Sequence, residues 1–221
     1  WALALAAGFT NAAFNWGVTT GEVVRVVLLF YLMPLWAVIL AWLLLGERLG
    51  AGAAGRVALA LVGAALVLQP DEGGWPRFNG LADWLGLLGG LGFALTNVLL
   101  RQQAATPAAE RAAAMFIGGL ILPAALGALL LHQGLVPGWP AVHGSWLALA
   151  LGMGALFVAS NLALQYGAAR VPVQLAAVVM LTEIVFAAAS AVWLAGEQLS
   201  PMQWLGGGLI LLTALLAARA P

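Results

Sequence analysis

Leu45-Gly46-Glu47-Arg48-Leu49 closes one long apolar run, and Gly196-Glu197-Gln198-Leu199 closes another, 150 positions later. The same offset pairs Thr10-Asn11 with Ser160-Asn161 and Asn15-Trp16-Gly17 with Gln165-Tyr166-Gly167. It also pairs Leu59, Leu61, Ala64 and Leu66 with Leu209, Leu211, Ala214 and Leu216. One register holds over about 55 residues without a gap, which marks a duplicated unit rather than a chance likeness.

What is duplicated is lipid-soluble. Apolar residues make up 64% of the chain and charged residues 7%, against roughly 25% charged in a soluble domain. With a mean hydropathy of +1.04, the composition reads as an integral membrane protein. The net charge is zero, so nucleic acid is not an implied partner. There is no cysteine, which removes disulfides, thiolate catalysis and Cys-ligated metals.

A bilayer core calls for about 20 apolar residues per helix. Eight segments qualify: 1–17, 23–45, 52–69, 80–100, 109–131, 144–166, 171–195 and 201–219. Turn chemistry separates them, as in Thr19-Thr20-Gly21, Pro70-Asp71-Glu72-Gly73-Gly74, Thr106-Pro107 and Ser200-Pro201. All eight cations are arginines. With Trp1 on the cytoplasmic side, Arg48, Arg56, Arg101, Arg111, Arg170 and Arg219 fall in cytoplasmic loops or at a cytoplasmic C-terminus, as the positive-inside rule requires. Arg77 then lies in an outer loop and Arg25 just inside the outer end of its helix. Most of the ten tryptophans sit near helix ends, as interfacial anchors do, and Trp36 is the deep exception.

Segments one to three match segments six to eight, while segments four and five have no counterpart before them. Symmetry therefore calls for two more helices upstream, about 60 residues, giving five plus five. An odd number of helices per half inverts the second half, and the arginines demand the same inversion. The expectation is an all-α polytopic membrane protein with eight transmembrane helices here of ten, built as two inverted repeats. Residues 1–69 would be the last three helices of the first repeat, 70–79 an outer linker, and 80–221 the second repeat.

The run from Arg25 through Tyr31 and Pro34 to Trp36, with Gly46-Glu47-Arg48-Leu49, resembles the helix-four signature of EamA-type permeases of the drug/metabolite transporter superfamily. Glu183 to Phe186 with Gly196-Glu197-Gln198-Leu199 resembles the matching element of their second half, although Ile184 stands where many members carry proline. The resemblance spans essentially the whole chain. It implies two inverted five-helix repeats around a central cavity, alternating access, and transport, often export, of small metabolites such as amino acids. It also implies a multi-pass protein of the cytoplasmic (inner) cell membrane.

Polar side chains within hydrocarbon need a partner, a cavity or a role. Asn11 and Asn15, four residues apart, share a helix face, and Asn161 and Gln165 repeat the arrangement. Their amides suit a zwitterionic or polar substrate near the midplane; they also suit hydrogen bonds to neighbouring helices. Glu183, central in its segment, reads as a proton-coupling site or substrate-amine partner, or as a neutral acid bonded to a carbonyl or amide. Its repeat partner is Met33, so duplication alone calls for no acid there. Together Asn11, Asn161 and Glu183 would frame a midplane site.

Arg25 follows Glu22 by three residues. It either neutralises Glu22 at the outer interface or lines the outer mouth for a substrate carboxylate. Gln174 holds the corresponding depth at the opposite mouth, and Asn97, after Thr96, stands near the cytoplasmic mouth. Tyr31, Trp36 and Tyr166 are candidates for a cavity wall facing an aromatic or apolar substrate, or for packing. Pro34 is a candidate kink and gating point. Glu47 and Glu197 each follow a helix-ending glycine, which points to a shared packing turn rather than chemistry.

No cofactor or metal motif is present: both histidines, His132 and His143, fall in one outer loop, and no His-Glu-x-x-His or Gly-x-Ser-x-Gly occurs. A membrane-embedded enzyme thus has the least support. A channel would call for charged rings or filter motifs. The leading expectation is a secondary transporter whose partners are the lipid bilayer and a small-molecule substrate, with proton coupling as one reading of Glu183.

Overall fold

A computed structural model of the chain describes residues 1–46, 51–70, 74–103, 105–136, 138, 141, 143–168, 186, 190–194 and 196–218. Its helices are α1 (Ala2–Thr20), α2 (Val23–Phe30), α3 (Met33–Leu45), α4 (Ala51–Val67), α5 (Leu81–Gln102), α6 (Ala108–His132), α7 (Gly144–Ala168) and α8 (Pro201–Ala218). No strand occurs among the described residues. These helices fall on seven of the eight apolar segments; most of segment 171–195 lies outside the described residues.

Among the described residues, three stretches are long and apolar enough to cross a bilayer: Val23–Leu44, Leu81–Gln102 and Ala109–His132. Shorter apolar helices cover Ala54–Val67, Gly144–Ser160 and Pro201–Leu216. The exposed surface carries large apolar side chains, including Leu120, Ile121, Leu149 and Met153. Water does not tolerate so much contiguous apolar surface, whereas acyl chains do. The architecture is that of an all-helical polytopic membrane protein. Helix α1, broken up by Thr10, Asn11 and Asn15, is not among the most apolar helices. It is instead wrapped by protein, packing along α5 and α6.

Small residues set these contacts. Ala4 and Gly8 of α1 meet Gly118 of α6 so closely that a side chain added at Gly118 would collide with the Ala4 carbonyl. In α4 and α8, a side chain added at Gly63 would stand 2.9 Å from the Gly206 carbonyl. Without a hydrophobic drive between helices in lipid, such backbone approach is what holds them. The pairings also give direction. Gly17 faces Leu85 while Gly92 faces Thr10, so α1 and α5 run antiparallel. Gly118 faces Ala4 while Leu122 faces Gly8, so α1 and α6 run parallel.

The segment expected as one helix, 23–45, breaks at Tyr31-Leu32. Pro34 has no N–H to donate to the carbonyl of Phe30, so α2 ends there and α3 restarts with Pro34 in its first turn, where the missing donor is harmless. The freed Phe30 carbonyl lies against Gly90 of α5, which has no side chain to exclude it. Around the break, Leu28, Leu29, Tyr31, Leu32 and Leu35 form a core with Ala60, Ala64 and Val67 of α4 and Ile210 of α8.

Candidate functional site

Polar groups collect at two ends of the bundle. At one end, Arg25 of α2 is buried and grips Asp83 of α5 with both edges of its fork: Nε donates to Oδ1 at 2.7 Å and Nη2 to Oδ2 at 2.9 Å. Nη1 donates to the Val67 carbonyl and Nη2 to the Arg77 carbonyl, each at 3.0 Å. Asp83 also accepts the Asn79 N–H at 2.7 Å. One guanidinium thereby ties the start of α2 to the end of α4, the following loop and the start of α5. The bidentate geometry is what distinguishes arginine from lysine here.

The same end carries a second tie. The Glu197 carboxylate accepts the Val23 N–H at 2.6 Å and the Val24 N–H at 3.1 Å, capping α2 from 174 residues away. Favourable placement of an acid at a helix N-terminus explains the choice of residue. Gly196 supplies the bend, with φ +70°, and its repeat partner Gly46 has φ +68°. Both occupy the left-handed region that ends helices. Beside them, Ser200 and Gln203 cap α8 reciprocally: Ser200 N–H donates to Gln203 Oε1 at 2.9 Å and Gln203 N–H to Ser200 Oγ at 3.2 Å. Gln203 Nε2 then donates to Glu22 at 3.3 Å.

The other end holds a cavity of about 540 Å³. Ala7 and Asn11 of α1, Leu100 of α5 and Phe157 of α7 line it, with Arg111, Met115, Phe116 and Gly119 from α6. Ligand sites usually span roughly 300–1,000 Å³ with mostly apolar walls and a few polar groups. Asn11 is half-buried, and Asn15 Nδ2 donates to its carbonyl at 2.8 Å and its Oδ1 at 3.3 Å. Arg111 Nη1 reaches the Leu100 carbonyl at 3.5 Å, and its Nε is buried with no partner among the described residues. Asp83 and Leu100 lie 17 positions apart on α5, so the ion pair and this wall are about 25 Å apart along the helix.

The sequence candidates scatter over these places. Asn11 lines the cavity, while Asn15 is exposed beside it. Arg25 belongs to the ion pair at the opposite end; Glu22, which the sequence offered as its partner, bonds Gln203 instead. Tyr31 is buried in the core with its ring 6.0 Å from Phe30. Trp36 is half-buried, its Nε1 buried without a partner among the described residues. Asn97 is exposed and donates to the Phe93 carbonyl of its own helix at 3.0 Å. The side chains of Asn161, Gln165 and Tyr166 on α7, and Gln174 and Glu183 entirely, lie outside the described residues. So do the Pro34 ring and Glu47.

Sequence reading passed over Asp83 and treated Arg111 as a topology marker. For Asp83 a signal existed: it stands within one turn of the start of its segment, as Arg25 does in its own. Two opposite charges at one depth in lipid want each other.

A family model, that of the EamA-like transporter family, matches residues 1–69 and 80–219. No curated protein and no solved structure matches the chain.

Proposed function

The chain belongs to the EamA-like transporter family, and on that premise we propose that it carries a small metabolite, such as an amino acid or a related organic acid, by alternating access around the Asn11 cavity. Membership makes it a membrane permease acting on a small molecule. The observation that supports the mechanism is the contrast between the two ends. At the Arg25 end a buried ion pair and the Glu197 cap tie the helices together. About 25 Å along α5 from the ion pair, Leu100 forms part of a cavity of carrier size lined by α1, α5, α6 and α7. Among the described residues, a bundle tied at one end and hollow at the other fits one state of a two-state carrier.

On this reading the Arg25 end is the outer face and the Arg111 end is cytoplasmic, following the arginine distribution. The cavity then faces the cytoplasm, the loading side for an exporter. Residues 1–69 and 80–219 act as two inverted repeats that rock against each other. The family match divides at that boundary, and Gly46 and Gly196 bend alike at equivalent positions. Asn161 and Glu183 complete the midplane site with Asn11, and Glu183 takes up a coupled proton.

The test is flux in liposomes. Purified protein is reconstituted and loaded with a labelled metabolite extract. Saturable efflux, accelerated by unlabelled extract on the far side, is expected. Linear, unsaturable conduction would mark a channel, and no flux a non-transporting subunit.

A further inference from the structure

We propose that the cavity takes an organic anion with an apolar body, and that Arg111 is the group that receives its carboxylate. The inference deepens the transport reading above and rests on it. The two arginines of the bundle ends make the case by contrast. Arg25 spends its donors on a bidentate carboxylate and two carbonyls. Arg111 has the same five N–H groups. One reaches the Leu100 carbonyl at 3.5 Å, the far limit of a hydrogen bond. Nε is buried with no acceptor among the described residues, and no described carboxylate pairs with this guanidinium. Buried donors left unmade are costly, and a planar fork in an apolar wall is matched by carboxylate oxygens.

The rest of the cavity sets the shape of the ligand. Met115, Phe116 and Phe157 offer only apolar surface. Gly119 stands eight positions after Arg111, about 12 Å along α6. Because Gly119 has no side chain, the Asn11 amide fits there: its Nδ2 lies 3.2 Å from the point a Cβ would occupy. That nitrogen has no acceptor among the described residues. A ligand with its carboxylate on Arg111, an apolar middle and an acceptor oxygen near Asn11 uses both polar side chains among the described lining residues. A phospholipid phosphate offers the same anionic oxygens, and the experiment separates the two sources.

The full chain is placed in nanodiscs of phosphatidylcholine, and equilibrium binding of radiolabelled 4-phenylbutyrate and of its neutral amide is measured. The unsubstituted chain is expected to prefer the carboxylate by roughly 10- to 150-fold, the worth of a hydrogen bond to a charged group. Arg111→Gln removes that preference while the amide binds as before, and Arg111→Lys retains part of it. Equal binding of the two probes, a preference that survives Arg111→Gln, or no binding of either probe overturns the assignment. Loss of carboxylate binding when phosphatidylglycerol replaces part of the lipid assigns Arg111 to a headgroup and overturns it too. The extract-exchange assay keeps the two levels apart. Saturable exchange without the carboxylate preference sinks Arg111 alone, while absence of exchange sinks the transport reading.

Discussion

Replacing Asp83 with Ala should destabilise the bundle more than any surface change. Asp83 is 3% exposed and Arg25 5% exposed. The substitution strips two acceptors from a buried guanidinium and one from the Asn79 N–H. Arg25 keeps its two carbonyl bonds, but those carry no countercharge. Removing one partner of a buried pair costs about 3–5 kcal/mol, because the charge left behind is uncompensated. For a chain of this size that corresponds to a fall in melting temperature of roughly 6–20 °C. Tryptophan fluorescence of the detergent-solubilised protein reads it directly. Replacing both partners, Arg25→Met with Asp83→Leu, removes the orphan charge and should melt well above either single variant. An Asp83→Ala curve that overlays the parent, or a double variant no more stable than the singles, would show that the pair is not buried as described.

Other expectations follow from single contacts. Gly118→Leu forces a side chain into the Ala4 carbonyl, so α1 and α6 must separate; overpacking of this kind costs about 1–3 kcal/mol by denaturation in mixed micelles. Glu197→Ala uncaps α2 and should cost about 0.5–2 kcal/mol in the same assay, with Glu197→Asp recovering less than the full amount because the shorter acid must reach both Val23 and Val24. Glu183→Gln should change the pH dependence of flux in liposomes. Flux identical to the parent at every pH would leave Glu183 as a packing residue.

The helices were legible because lipid imposes a length and removes the polar residues that blur helix signals in soluble chains. The break in segment 23–45 was half legible. Pro34 announced it, but the helix ends at Phe30, four residues upstream, where the lost hydrogen bond falls. The ion pair was not legible from local spacing. Glu22 and Arg25, three apart, look like a surface pair. A buried bidentate contact 58 residues away took Arg25 instead. Arg111 hid behind topology, since an arginine at a helix end expected to be cytoplasmic already satisfies the positive-inside rule. Its unused Nε appears only once the Leu100 carbonyl and the cavity wall are placed in space.

The absence of native cysteine makes the decisive measurement simple, because any introduced thiol is the only one. Met115→Cys puts it on the cavity wall. The variant is sealed into vesicles and treated with a membrane-impermeant maleimide from each side in turn. Alternating access through this cavity, with the Arg25 end closed at rest, predicts labelling from the cytoplasmic side, slowed by a transported solute. Equal labelling from the outer side at rest, or no labelling from either side, would contradict it.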